Sequence, residues 1–366
     1  METILIVASS GRMLSQAARN IGLKPLVIDL FADLDTQCYA EDFRRIKSLT
    51  EQDLAPAVDY FVERYAVEHV IYGSGFETYP ESLHYLNSRL MLLGNDPDIF
   101  AMLQNKPAFF STLDDLNIPY PKVVFSPPAY FDHGADNWLL KPMQGQGGVG
   151  IKRYHADDQI NTPHYWQKFQ AGQPHSVLFL ADGLRVQVVG FNTQWSVCLS
   201  GTEEFVFSGV INSCDLSDEH KAVITDWLKQ MVPAFSLRGL NSLDFIHVDG
   251  YSYVLEINPR ASASMQLYGQ DLLARHIQSC VGVTVGATLV AQPTEIGYQI
   301  VYAERDLIIP ERFKWPKWCM DLPKSGDMCR AGQPLCSIIA RPKNSRSVVK
   351  QLLTKQQLIL SKLDRF

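Results

Sequence analysis

The sequence predicts a mixed fold, α/β and then α+β: an open domain on a parallel sheet, a larger domain of strands and hairpins, and a small β-rich C-terminal segment. Three observations predict it. Short apolar runs (ILIVA, PLVIDL, HVIYG) alternate with longer amphipathic stretches up to about Asn95, the pattern of βαβ units. The following stretch, to about Gln292, reads mostly as strands and hairpins. Beyond Pro293 come strands with many turns (GYQIVYAERDLIIP, GDMCRAGQPLCSIIA) and a closing amphipathic helix. Expected domains are 1–97, 98–292 and 293–366.

Each element follows from local pattern. METILIVASSG has no basic start and a short apolar run ending at Ser9, Ser10 and Gly11, so it reads as a buried strand and not a signal peptide. Asp29 ends the second strand, and Leu54–Tyr65 forms an amphipathic helix. At GSGFE, Gly73, Ser74 and Gly75 leave a strand ahead of Phe76 and Glu77. Ligands of open α/β sheets sit beyond the carboxyl ends of strands, so this loop is a candidate substrate contact. A helix is expected from Ile99 through Leu116, then the extended IPYPKVVFSPP, a helix from Asp218 to about Met231, and a final helix from Ser345 to about Asp364.

Composition narrows the function. Hydrophobic residues make up 46% and charged residues 20% of the 366, an ordinary globular balance, and no apolar run is long enough to span a bilayer. Net charge is −6 with no block of Lys or Arg, so neither a nucleic-acid nor a membrane partner is expected. Seven cysteines without a CxxC pair read as reduced thiols of a cytoplasmic protein. ASSGRML lacks the glycines of a dinucleotide fingerprint, which argues against a nicotinamide dehydrogenase.

The chemistry concentrates in NSLDFIHVDGYSYVLEINPR, two apolar strands around the turn-forming pair Asp249 and Gly250. Glu256 and Asn258 are two apart and share a face, whereas Leu255 and Ile257 point the other way. Asp244 joins that face only if parity allows: a strict two-residue loop pairs it with Leu255. A three-residue connection or a bulge is therefore expected. Two carboxylates and an amide oxygen are hard ligands suited to Mg²⁺; an edge hairpin with a solvated polar face is the plain alternative.

In WLLKPMQGQGGVGI a strand reaches Lys141 and is followed by Gly145, Gly147, Gly148 and Gly150. Such glycines let backbone N–H groups approach phosphate oxygens. No GK[ST] and no helix follow, so this is a hairpin flap and not a P-loop. Lys106 lies in NKPAFF; alone it reads as a solvated helix lysine. Two lysines, a glycine flap and a hairpin of hard ligands together supply what a triphosphate needs.

The ordered set resembles the ATP-grasp superfamily: Lys106, Lys141 with its flap, the YWQKFQAG hinge, Asp244, then LEINPR. The resemblance spans nearly the whole chain, making residues 1–97 a pre-ATP-grasp domain and 98–292 the ATP-grasp domain. It implies that Lys106 and Lys141 hold ATP phosphates under Gly145, Gly147 and Gly148, and that Gln167, Lys168, Phe169 and Leu255 border the adenine. It further implies that Asp244, Glu256 and Asn258 bind one or two Mg²⁺ ions, with Mn²⁺ a substitute, and that Arg260 faces the transferred phosphoryl group. The implied reaction joins a small carboxylate to an amine through an acyl phosphate, releasing ADP; a homodimer is a family expectation.

Two departures stand out. Many relatives carry an acidic hinge residue where this chain has Gln167, Lys168 and Phe169, and the segment where relatives place a ribose-binding Glu offers Gln173, His175 and Ser176. They favour an alternative, an ATP-binding regulatory protein with a decayed site, against which the retained lysines and metal ligands weigh. GSGFETYPE, LEINPRASAS, WPKW and DLPKSG resemble a group linked to methanofuran and tetrahydromethanopterin C1 metabolism that includes a tyramine–glutamate ligase. A glutamate substrate needs a cation for its unreacted carboxylate; Arg260 and Arg275 are the candidates, Arg275 more readily a surface ion-pair residue.

Overall fold

The computed structural model describes residues 1–128, 137–155, 157–199, 203–283, 294–341 and 347–365. The N-terminal part is a parallel sheet of β1 (Thr3–Val7), β2 (Lys24–Asp29), β3 (Asp42–Arg45), β4 (His69–Tyr72) and β5 (Met91–Leu92), ordered β3-β2-β1-β4-β5. Around it lie α1 (Arg12–Asn20), α2 (Leu34–Tyr39), α3 (Glu51–Tyr65) and α4 (Glu81–Arg89). Ile4–Val7 and Leu26–Ile28 are fully buried, which is why these strands read as unbroken apolar runs. The carboxyl ends of β1, β2 and β4 bring Ser9, Asp29 and the GSGFE loop to one edge. Asp29 accepts from the N–H groups of Gly11 (3.0 Å) and Ala32 (2.7 Å). A Cβ on Gly11 would meet Val27 Cγ1 at 2.4 Å, so Gly11 and Asp29 close a tight turn.

The helix expected over Ile99–Leu116 is two helices, α5 (Pro97–Gln104) and α6 (Lys106–Asp115). Pro107 cannot donate to the preceding turn, and the Asn105 side chain instead accepts from Ala108 N–H at 3.2 Å, capping a new helix. A four-stranded sheet follows, ordered β6 (Val123–Val124), β9 (His164–Lys168), β7 (Trp138–Pro142), β8 (Lys152–Arg153).

The largest sheet has eight strands. It draws on β10 (Gln173–Asp182), β11 (Val186–Val197), β12 (Val206–Ile211), β13 (Arg238–Val248), β14 (Tyr251–Asn258), β15 (Gly297–Tyr302), β17 (Cys319–Met320) and β19 (Pro334–Ala340), in the order β14-β13-β10-β11-β12-β15-β19-β17. A separate pair is formed by β16 (Leu307–Ile308) and β18 (Met328–Cys329). The C-terminal strands thus extend the sheet of the middle region through β12–β15 pairing. The boundary expected at 292/293 lies outside the described residues. Helix α7 (Asp218–Phe235) runs a turn beyond Met231 and packs Ile224, Leu228 and Met231 into the main core. Helices α8 (Leu272–Cys280) and α9 (Val348–Leu363) complete the chain. Among the described residues no helix is long and apolar enough to cross a membrane.

The parallel-sheet part is docked onto the large sheet through a shared core in which Ile4, Ile6 and Leu14 join Leu178, Leu180, Leu240 and Leu273. Asn95, fully buried, donates to Asn241 Oδ1 (2.8 Å) and to the Pro259 carbonyl (2.9 Å), and Tyr72 Oη donates to the same carbonyl (3.0 Å). His276 bridges the two parts: Leu240 N–H donates to its Nδ1 (2.8 Å), leaving Nε2 to donate to the Leu93 carbonyl (3.1 Å).

Candidate active site

The hairpin resolves its parity with a bulge. Val248 pairs with Tyr251 across a two-residue turn with positive φ at Asp249 (50°) and Gly250 (81°), the backbone that suits a tight hairpin. The register holds to Phe245 and Val254, then shifts, so that Leu255 has no opposite residue and Asp244 faces Glu256. Of the two devices expected, the bulge is the one present. Ser242 faces Asn258 beyond it, placing Asp244, Glu256 and Asn258 along one face.

Asp244 accepts from Asn258 Nδ2 (3.0 Å) and Gln194 Nε2 (3.3 Å). Burial and the neighbouring Glu256 push its carboxyl up to about 7. Two carboxylates facing each other with this little compensation hold their charge poorly. Among the described residues no group of three His, Cys, Asp or Glu is placed to hold a metal, so a cation here relies on two carboxylates, the Asn258 amide and oxygens from elsewhere.

Arg260 is held from the other part of the molecule. Its Nε donates to Glu77 Oε1 at 2.6 Å and its Nη2 to Asn258 Oδ1 at 3.2 Å. Both side chains of the ion pair are largely buried, 10% and 3% exposed, and Glu77 also accepts from Gly75 N–H at 2.8 Å. The GSGFE loop therefore reaches this site through Glu77. With Tyr72 and Asn95 fixing the Pro259 carbonyl, Arg260 is anchored at main chain and side chain alike. Glu77 lay within a loop that the sequence singled out; Gln194, Asn95 and Tyr72 carry no local signal, because each acts across a long sequence separation.

Lys141 is buried on β7, donates to Gln167 Oε1 at 3.0 Å and lies 5.7 Å from the Tyr165 ring centre. Burial lowers its pKa, while Glu256 and Asp244 act to raise it, so it stands in their field. Lys106, expected on a solvated helix face, is only 7% exposed at the first position of α6. Burial raises the Tyr165 phenol, with Lys106 opposing and Glu256 reinforcing; Tyr165 thus marks the point between both lysines and the acidic face. Its helix break explains Lys106: Asn105 and Pro107 turn the residue between them inward.

The glycine flap is seated on the start of β12. Phe207 N–H donates to the Gly147 carbonyl at 2.8 Å. Gly148, at φ +75°, approaches Phe205 so closely that a Cβ would lie 1.9 Å from its carbonyl oxygen. Gly145 and Gly147 also have positive φ. At the hinge, Gln167 is 1% exposed with its Nε2 lacking a partner. The N–H groups of Lys168 and Phe169 donate to the Lys122 and Asn137 carbonyls. Phe169 lies 4.5 Å beneath the Arg153 guanidinium and beside Phe205.

Of the three residues named for the ribose, only Ser176 shares the face of Asp244, its partner across β10 and β13. His175 pairs with Phe245 and stacks on its ring, and Gln173 has the same parity, so both belong to the opposite face. Arg275 forms an i,i+4 pair with Asp271 at 2.7 Å on α8, an ordinary surface arrangement that takes it out of the candidate set.

Residues 103–264 match the ATP-grasp domain family, and the chain carries an ATP-grasp domain. It is 22% identical over 316 residues to the carbamoyl phosphate synthase large chain of Clostridium beijerinckii, covering 80% of this chain and 28% of that one. It therefore spans less than a third of the length of that curated relative. N5-carboxyaminoimidazole ribonucleotide synthetase of Thermotoga maritima superposes with a TM-score of 0.69 at 14% identity, covering 99% of this chain and 98% of that one. Biotin carboxylase of Campylobacter jejuni, solved as a complex with β,γ-ATP, superposes at 0.73 with 12% identity, over 95% and 89% of the two chains. These solved structures share its fold.

Proposed function

We propose that the protein is an ATP-dependent, ADP-forming ligase that joins a small carboxylate to an amine. The observation that carries this reading is the bulge at Leu255, which sets Asp244 opposite Glu256 and in line with Asn258 and Arg260. Lys141 and Lys106, both buried, stand across from that face. The arrangement has charge of both signs where a triphosphate with its cation would lie. The printed names of the relatives, a carbamoyl phosphate synthase, a carboxylase and a synthetase, support the same class.

In this reading Lys106 and Lys141 bind ATP phosphates, and the flap around Gly147 and Gly148 covers them. Phe169 and Leu255 border the base, whose polar contacts at the hinge fall to carbonyls and to Gln167, since Lys168 and Phe169 N–H are engaged. Asp244, Glu256 and Asn258 would hold Mg²⁺, which supplies neutralisation of phosphate charge; hard oxygen donors suit it. A substrate carboxylate oxygen attacks the γ-phosphorus and ADP leaves. The amine nitrogen then attacks the acyl carbon, phosphate leaves and the amine gives up a proton. Arg260 is placed to steady the acyl phosphate, which water would destroy in an open site.

The finer reading, glutamate as the carboxylate within the C1-metabolism group, rests on the likeness of GSGFETYPE, LEINPRASAS, WPKW and DLPKSG. The test is ADP formation from ATP with Mg²⁺ across panels of amino acids and amines. Turnover with a carboxylate–amine pair supports the ligase. ATP binding without turnover for any pair would instead favour the regulatory reading, which the intact cation and carboxylate set speaks against.

A further inference from the structure

The ends of β1 and β2 face the 321–322 turn of the C-terminal segment across a crevice rich in carboxylates. Arg12, 2% exposed, donates to Asp321 (2.9 and 3.2 Å) and to Gln266 Oε1 (3.1 Å). Asp35 accepts from the N–H groups of Asp321 (2.9 Å) and Leu322 (3.0 Å), and Asp29 from Gly11 and Ala32. These three acids therefore have donors. Asp33 has none: only 9% exposed, it makes no hydrogen bond or ion pair among the described residues. It does not even cap α2, whose N-cap it occupies. Its electrostatic surroundings are Asp321, Asp29 and Asp35, opposed by Arg12, which aims it into the crevice.

A buried carboxylate without a partner, set among three others, works against folding. A cation from outside would supply what the fold does not. A metal ion needs several free oxygens, and here Asp29, Asp35 and Asp321 are committed; no metal-holding group of three occurs among the described residues. One free carboxylate, flanked in the chain by Phe31 and Leu34 left 48% and 40% exposed, suits an organic ammonium with an apolar body.

We propose that Asp33 binds the ammonium group of a ligase substrate, in a crevice running from the end of β2 past Ser10 to the Glu77–Arg260 pair. This rests on the ligase reading for the identity of the ligand. The path is continuous: Ser10 Oγ donates to Asp321 (3.4 Å), and Ser9 N–H to the Ser74 carbonyl (2.7 Å) at the start of the loop carrying Glu77. The strand order β2-β1-β4 sets the two ends roughly 10 Å apart at the usual strand spacing. The bound ammonium is therefore remote from the reacting group. It is either the α-ammonium of an amino-acid carboxylate or the far ammonium of a diamine.

Isothermal titration of the full chain with glutamate, 1,5-diaminopentane and the N-acetyl form of each tests this. One parent compound should bind at least tenfold more tightly than its acetylated form, and which one identifies the source. Asp33→Asn should abolish that preference with ATP affinity unchanged, Asp33→Glu should retain it within a few-fold, and Asp33→Asn should raise the Tm of the free protein. Equal binding by wild type and Asp33→Asn, no preference for either parent compound, or an Asp33→Asn chain that fails to fold would overturn the proposal. Ammonium preference without ATP turnover would retain Asp33 as a site and remove the ligase; turnover indifferent to Asp33 would do the reverse.

Discussion

Arg260 owes its position to residues far away in the chain. Glu77 supplies its charged partner and Tyr72 and Asn95 hold the carbonyl before it. Glu77→Gln should leave ATP binding within about threefold and lower kcat at least about tenfold, since a neutral partner gives up a charge-assisted bond; steady-state ADP release read as separate kcat and KM checks this. Glu256→Gln should cut turnover by at least about 100-fold, the scale of losing a group that stabilises the transition state, while the circular dichroism spectrum stays native. Turnover near wild type would remove Glu256 from the metal set. Glu256 and Asn258 were legible because a spacing of two fixes a shared strand face. Ser176 against His175 was not, because the sequence does not say which face of β10 meets the core until β13 is paired with it.

Individual elements show what local chemistry can and cannot announce. Parity alone demanded an odd turn or a bulge near Asp249, yet nothing local distinguishes the two; Asp249 and Gly250 accept positive φ well enough to close a two-residue turn, and the extra residue moves to Leu255. Pro107 did announce a break in its helix, and the break is what buries Lys106. For the flap, Gly148→Ala should unseat the loop from Phe205, because both φ and space exclude a Cβ. ATP KM is then expected to rise about tenfold or more with Tm within a few degrees. Helix α8 carries a pH effect. His276 is buried and neutral, and its pKa is held down to about 4 from the ordinary 6.5. A depressed folded pKa contributes stability that is complete above 6.5 and lost as pH falls toward 4. The effect is on the order of 3 kcal/mol at roughly 1.4 kcal/mol per unit. Denaturant midpoints from pH 7 to 4 should fall in the wild type and flatten in His276→Gln; an unchanged slope would rule His276 out as its source.

At the scale of the molecule, the βαβ rhythm revealed the parallel sheet because each strand lies next to its neighbour through a local crossover. The join of the C-terminal segment to the central sheet was hidden, because β12 and β15 pair across more than eighty residues and nothing in either strand names the other. That join has a practical consequence. A chain cut before β15 would leave β12 as an open sheet edge, its backbone donors and acceptors unpaired and Val210 and Ile211 stripped of their cover. Such a truncation should come out of cells as inclusion bodies or soluble oligomers. The full chain should not, and analytical ultracentrifugation of the two would show it. Anyone seeking a minimal catalytic fragment would therefore do better to keep the tail, which serves the central sheet as its selvage.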